Sequence, residues 1–138
     1  MHKSRVSIVI PTYNEIDNIP IMMRAIEESL DSKWNYEIII VDDASPDGTG
    51  AIVRELAKAD DRINLIERSG KLGLGSAVVA GFDYSKGDYL VMMDADMSHD
   101  PKYLPNLLLA LEDYDVVIGS RYVEGGGVDN WPLWRRVI

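Results

Sequence analysis

The chain has 138 residues, 46% of them hydrophobic and 27% charged, and a formal charge of −9. That is enough for one domain with a real core, while the acidity argues against a nucleic-acid-binding surface, which needs clustered cations. Cysteine is absent, which excludes disulfides, thiolate zinc sites and cysteine nucleophiles, and no apolar run approaches the ~18 residues of a membrane span.

The basic start at Lys3 and Arg5 leads into an apolar run that stops at Pro11, too short for a signal peptide. That run, residues 6–10, predicts a first strand, and its near-continuous Val and Ile suit burial on both faces of a parallel sheet. Asn18 stands where a cap belongs, Pro20 is tolerated in a first turn, and Ile19, Met22, Met23, Ile26 and Leu30 share one helical face. Residues 37–41 predict a second strand, followed by Asp42, Asp43 and the turn Ser45-Pro46-Asp47-Gly48. Ile52, Val53 and Leu56 form the stripe of a second helix. Residues 63–67 predict a third strand, then a glycine-rich loop, then a helix over 74–84 with Gly81 inside it. Residues 89–93 predict a fourth strand ending at Asp94-Ala95-Asp96. Asp100-Pro101 opens a last helix with Leu104, Leu107, Leu108 and Leu111 on one face, and residues 116–118 predict a fifth strand before Ser120 and Arg121.

This alternation predicts a doubly wound, mostly parallel α/β sheet of Rossmann-like type. Ligands of such sheets bind at the carboxyl ends of the strands, and every strand here is followed by polar residues. Asp94 and Asp96 are the sharpest signal. Residues i and i+2 of an extended strand point to one side, and two carboxylates held together repel unless a cation joins them or one is protonated. Oxygen ligands suit Mg2+ or Mn2+, which keep waters and bind substrate phosphates. The Gly70-Lys71-Leu72-Gly73-Leu74-Gly75 loop is neither a Walker loop nor a dinucleotide fingerprint. Its glycines either admit a ligand closely or make the turn, with Lys71 placed to face the site. His99 either supports the outer shell of a metal or packs its own loop. Met92 and Met93 read as core. The tail around Trp131, Trp134, Arg135 and Arg136 suits a membrane interface or packing against another part of the protein.

Four motifs occur in a telling order: Pro11-Thr12-Tyr13-Asn14-Glu15, Val41-Asp42-Asp43-Ala44-Ser45-Pro46-Asp47, Asp94-Ala95-Asp96-Met97-Ser98-His99 and Gly119-Ser120-Arg121-Tyr122-Val123. Together they resemble the family 2 glycosyltransferases of the GT-A fold, and specifically the dolichol-phosphate (polyprenol-phosphate) mannosyltransferases. Gly125-Gly126-Gly127 and Trp131 after the last motif narrow the resemblance to that branch. It covers nearly the whole chain and implies one domain over residues 1–138. It also implies transfer of mannose from GDP-mannose to a dolichyl or polyprenyl phosphate with inversion at the anomeric carbon. The implied cofactor is Mg2+ or Mn2+, the implied location the cytoplasm, peripheral at the cytoplasmic face of a membrane, and the implied process protein glycosylation.

The resemblance assigns roles by residue. Pro11, Tyr13, Glu15, Val41 and Asp43 would line the nucleotide pocket. Asp94, Ala95 and Asp96 would meet the donor diphosphate and the metal. Ser98 stands where relatives often carry a glutamine whose oxygen joins the metal shell, and it is shorter. Arg121 would contact a donor or acceptor phosphate, so that Asp96 and Arg121 form the expected catalytic pair. Members of this family continue well past the position of Ile138, so the chain is expected to be a fragment or an unusually short member, with the donor half present and much of the acceptor half absent. Two rivals stand beside this reading: a family 2 transferase using a UDP-sugar, and a nucleotide-binding fragment without catalysis. Asp43→Ala is expected to weaken GDP binding with little effect on thermal stability.

Overall fold

The structure, a computed structural model, describes residues 4–119. Four strands form one parallel sheet: β1 (Arg5–Thr12), β2 (Asn35–Asp42), β3 (Ile63–Glu67) and β4 (Tyr89–Met92), in the spatial order β3-β2-β1-β4. Between and after them run α1 (Ile19–Leu30), α2 (Thr49–Ala59), α3 (Leu74–Tyr84) and α4 (Leu104–Ala110), the last preceded by a 3-10 turn over Pro101–Tyr103. The chain winds outward from β1 to β3 and then returns to the far side of β1, so its direction reverses between β1 and β4. Loops at such a reversal are where open α/β sheets bind ligands.

The central strands are built as their composition requires. Val6, Ile8, Val9 and Ile10 of β1, and Ile39, Ile40 and Val41 of β2, are all wholly buried. Each such side chain contributes about 2 kcal/mol through removal from water. The register pairs Ile8 with Ile38 and Val9 with Ile39, and alternation along a strand sends these two layers to opposite faces. Val9, Ile39 and Val41 pack with Ala77 of α3 on one face, supported by Ile66 and Phe82. Tyr36 and Ile38, on the other face, share a cleft with Met23 of α1 and Leu56 of α2. All five residues assigned to the inner face of α1 are buried.

At the amino-terminal edge of the sheet a buried Glu37 is fully engaged. It accepts from Ser7 Oγ at 2.6 Å, from the Lys86 N–H at 2.8 Å and from Arg5 Nη2 at 3.0 Å. Gly87 closes this corner, because a Cβ there would press on the Ser7 and Arg5 backbone.

Three local expectations are corrected. Residues 116–118 are not a strand: Val116 is 75% exposed and Ile118 80%. A β-branched run becomes a strand only with a neighbour to share its ladder, and no pairing with it occurs among the described residues. Asn18 holds the N-cap position of α1 without capping it; its side chain donates instead to Glu15 Oε2 at 2.8 Å. β4 ends at Met92, one residue early, although the Met93 N–H still donates to the Val9 carbonyl at 3.1 Å. The cap at Asp100 is as expected, its carboxylate accepting from the Lys102 N–H at 3.0 Å.

Among the described residues, the chain up to Pro105 forms one compact unit and the segment from Asn106 belongs to a second. Within α4, Leu104 and Leu108 are buried, and Leu111 falls in the turn beyond its end. Among the described residues no helix is long and apolar enough to cross a membrane.

Candidate functional site

The carboxyl ends of β1 and β2 are tied together by two aspartates. Asp42, 2% exposed, accepts from Thr12 Oγ1 at 2.8 Å, from Ser45 Oγ at 2.6 Å and from the Ser45 N–H at 3.1 Å. Asp47 accepts from the Ile16 N–H at 3.1 Å and from the Thr49 N–H at 2.9 Å. Burial would push the Asp47 carboxyl up, but the Thr49 and Ile16 hydrogen bonds outweigh it and hold the group below its ordinary value. The Thr49 hydroxyl in turn accepts from the Glu15 N–H at 3.0 Å. These bonds lock the loop after β1 onto the loop after β2, and hold Asn14 and Ala44 at φ near +55° and +52°. Left-handed backbone costs a residue with a Cβ about 1–2 kcal/mol.

Next to this lattice lies a cleft of ≈ 150 Å³, lined by Pro11, Thr12, Tyr13, Asp43, Lys71, Gly73, Leu74 and Ala77. Asp42 is bonded to Thr12 and Ser45, whereas Asp43, the first residue past β2, lines this cleft. Its carboxylate receives Arg68 Nε on Oδ1 at 2.6 Å, Arg68 Nη2 on Oδ2 at 2.7 Å and the Leu72 N–H on Oδ2 at 3.3 Å. Those arginine hydrogen bonds, opposed by burial and aided by the charges of Arg68 and Lys71, hold Asp43 below the usual carboxylate range. Across the opening, Lys71 Nζ sits 4.5 Å from the centre of the Tyr13 ring, within cation–π range. The cleft thus offers an aromatic face, an ionised acceptor and a cation.

Pro11, Tyr13, Asp43 and Lys71 therefore meet at one place. Val41 does not: it is wholly buried in the cluster with Val9, Ile39 and Ala77 and lines no part of the cleft. Glu15 lies outside the cleft too, its side chain bonded to Asn18. Arg68 was not legible as a site residue. Its signal was its position, one residue past β3 and just ahead of the glycines.

The acidic motif follows β4, on the other side of β1. Asp94 lies in irregular chain beyond the strand and Asp96 in the bend that follows, so the same-side geometry of an extended strand does not govern them. Asp94 is half-buried, Ala95 buried and Asp96 exposed. Met97 takes φ +66° and lets the chain turn back, so that the Ser98 N–H donates to Asp96 Oδ1 at 3.0 Å. Hydrogen bonding from the Ser98 side chain, against a smaller burial effect, keeps Asp96 below its ordinary value. His99 folds over the same loop: its Nδ1 accepts the Asp94 N–H at 3.0 Å, and its Nε2 lies 3.8 Å from Asp94 Oδ2. Among the described residues no three acidic, histidine or cysteine side chains are gathered closely enough to hold a cation by themselves. Arg121 lies outside the described residues.

A four-stranded parallel sheet whose polar loops gather at the carboxyl ends of β1, β2 and β4 defines an α/β domain of the open-sheet class. Residues 7–137 match the glycosyl transferase family 2 domain, and the chain belongs to that family. It is 48% identical over 139 residues to a polyprenol monophosphomannose synthase of Mycolicibacterium smegmatis, covering 97% of this chain and 51% of the relative. A dolichol-phosphate mannosyltransferase of Pyrococcus furiosus is 44% identical over 135 residues, with 97% and 38% covered. The chain thus spans about half or less of these relatives' length. Among solved structures, a Pyrobaculum calidifontis mannosyltransferase in complex with GDP-Man and Mn2+ superimposes with a TM-score of 0.68 at 29% identity, over 78% of this chain and 32% of that one. A glucosyl-3-phosphoglycerate synthase of Mycobacterium tuberculosis holding Mn2+ and UDP gives 0.61 at 26% identity, over 79% and 40%. The chain thus shares its family with relatives named as a dolichol-phosphate mannosyltransferase and a polyprenol monophosphomannose synthase.

Proposed function

We propose that this chain carries the donor half of a transferase that moves mannose from GDP-mannose to a polyprenyl or dolichyl phosphate. The observation that carries the reading is the cleft beside the β1–β2 lattice, with an aromatic face at Tyr13 and an ionised, immobilised carboxylate at Asp43. A nucleobase has a flat ring to stack and N–H donors at its edge, and the cleft matches both.

The donor set after β4 fits a divalent cation in part. Asp94, Asp96 and the Ser98 hydroxyl are all oxygen donors, and Asp96 is held ionised. Two carboxylates without a third leave room for water and substrate phosphate, as Mg2+ and Mn2+ prefer. When bound there, such an ion would neutralise charge on the departing diphosphate. The chain's own groups do the rest. Pro11, Tyr13 and Asp43 seat the nucleoside, the β1–β2 lattice keeps that seat rigid, and Arg121 is assigned to a phosphate. An acceptor phosphate monoester has a second pKa near ~6 and is largely dianionic at neutral pH. No base has to remove a proton from it, so the protein's task is alignment and charge stabilisation, and displacement in line inverts the anomeric centre. The site of action is the cytoplasmic membrane surface, held peripherally, where the lipid acceptor resides.

Similarity to a UDP-bound synthase supports one second reading, a UDP-sugar donor. Turnover measured with GDP-mannose and with UDP-glucose, each with a short polyprenyl phosphate and Mg2+ or Mn2+, separates them. The proposal requires mannose transfer with GDP-mannose alone; transfer only from UDP-glucose overturns it.

A further inference from the structure

Arg68 has no part in the motifs or in the roles above, yet its side chain is 11% exposed against 9% for Asp43. It directly follows β3, and its N–H donates to the Asp42 carbonyl at 2.8 Å, extending the β2–β3 ladder by one residue. From there its guanidinium reaches three elements. Nε and Nη2 take the two oxygens of Asp43, at the end of β2. Nη2 also donates to the Gly73 carbonyl at 3.0 Å, in the glycine-rich loop, and Nη1 to Ser76 Oγ at 2.7 Å, in the first turn of α3. The Ser76 hydroxyl is itself 2.8 Å from the Leu72 carbonyl, which it caps. Only a planar fork of five donors can make this set; an ammonium cannot.

The consequence falls on Asp43. A carboxylate has about four acceptor positions. Arg68 and the Leu72 N–H occupy both on Oδ2 and one on Oδ1, which among the described residues leaves one acceptor position on Oδ1. Gly73, which lines the cleft with Asp43, is held through its carbonyl by the same guanidinium. Tyr13, exposed at 40%, supplies the surface on which a ring can lie.

We propose that Arg68 is a positioning residue for base recognition, holding the Asp43 carboxylate with a single acceptor presented to the ligand and fixing the glycine-rich wall to that same carboxylate. This rests on the nucleotide reading of the cleft. Arg68 acts through Asp43 and touches no ligand. The ligand class is a nucleoside diphosphate whose base edge carries an N–H donor.

The test compares GDP with inorganic pyrophosphate, which has the diphosphate without a base. Binding of each is measured by calorimetry in the presence of Mg2+ for wild type, Arg68→Met, Arg68→Lys, Asp43→Asn and the Arg68→Met/Asp43→Asn double variant. Arg68→Met should weaken GDP binding about ten- to a hundredfold, the worth of one charge-assisted hydrogen bond, and leave pyrophosphate binding unchanged. The double variant should bind GDP no more weakly than the worse single variant, because both remove one interaction. Arg68→Lys should restore binding only in part. Equal losses for GDP and pyrophosphate would show a merely structural role, and additive losses in the double variant would show that Arg68 does not act through Asp43; either overturns the inference. If Arg68→Met does not fold, the same GDP-to-pyrophosphate ratio is read on Arg68→Lys, which keeps the buried charge. Wild-type protein that binds pyrophosphate but neither GDP nor UDP would instead overturn the nucleotide reading itself.

Discussion

Asp42 and Asp43 are adjacent in the chain, and their carboxylates do different work. Asp42 is consumed by Thr12 and Ser45, while Asp43 faces the cleft in a nearly buried pair with Arg68. That pair changes what Asp43→Ala should do. Removing one partner of a buried ion pair strands the other, so the variant should lose ~3 kcal/mol of stability as well as nucleotide affinity, contrary to the small stability effect expected from the sequence. Urea titration of ligand-free protein checks this; an unchanged midpoint would refute it. Acid should act on the same bond. Arg68 depresses the folded-state pKa of Asp43, and Arg62 does likewise for Asp60, both against burial. A depressed carboxylate adds stability above its unfolded value, near ~3.9, and loses it as pH falls through the folded value. Thermal midpoints should therefore hold down to about pH 5 and drop below about pH 4, and Asp43→Asn should flatten that drop. Asp96 is exposed, so Asp96→Asn should leave the fold intact while cutting transferase rate in the whole enzyme by about 10²–10³. Wild-type rates in that variant, or after chelation, would remove the metal role.

The packing of α3 on β1 depends on a missing side chain. A Cβ at Gly81 would run into both methyls of Val9, and Val9 is wholly buried in the cluster with Ile39, Val41 and Ala77. Gly81→Ala should destabilise by about 1–3 kcal/mol through overpacking. Gly75, in the first turn of the same helix, has nothing within 4 Å of its would-be Cβ. There the alanine should stabilise by ~0.5–1 kcal/mol, since glycine loses the most freedom on entering a helix. Denaturation midpoints of the two variants, moving in opposite directions, are the check. Movement in the same direction would show that close helix–strand contact is not what Gly81 provides.

Across the sheet as a whole, β1 and β2 are enclosed while β4 stands at one border with Leu90 45% exposed. Among the described residues nothing pairs with its outer edge. An open edge with an apolar residue is a template for another strand, so the 138-residue chain should self-associate as concentration rises, and Leu90→Lys should suppress this. Sedimentation velocity over a concentration series decides it: a monomer at every concentration would show the edge to be protected. The net charge of −9 opposes association, and the effect should strengthen as salt screens it.

The strands, the buried face of α1 and the extent of α3 could be read from the chain because each depends on local spacing and on β-branched composition. The Asp94-Ala95-Asp96 motif stands out in the chain because a short segment carries its own pattern, but that it lies beyond β4 rather than within an extended strand came only from the structure. Arg68 and Asp43 are 25 residues apart, and no spacing rule joins them; their pairing follows from the parallel register of β2 and β3. Contacts between distant segments likewise decided that Val41 packs in the core with Val9 and Ala77 and that Asp42 and Asp47 tie the loop after β2 to β1 and the loop after it, while the β-branched run at 116–118 stays exposed for want of a pairing strand among the described residues. Local pattern selects what a segment can become, whereas the neighbours that satisfy a carboxylate or complete a strand arrive from distant parts of the chain.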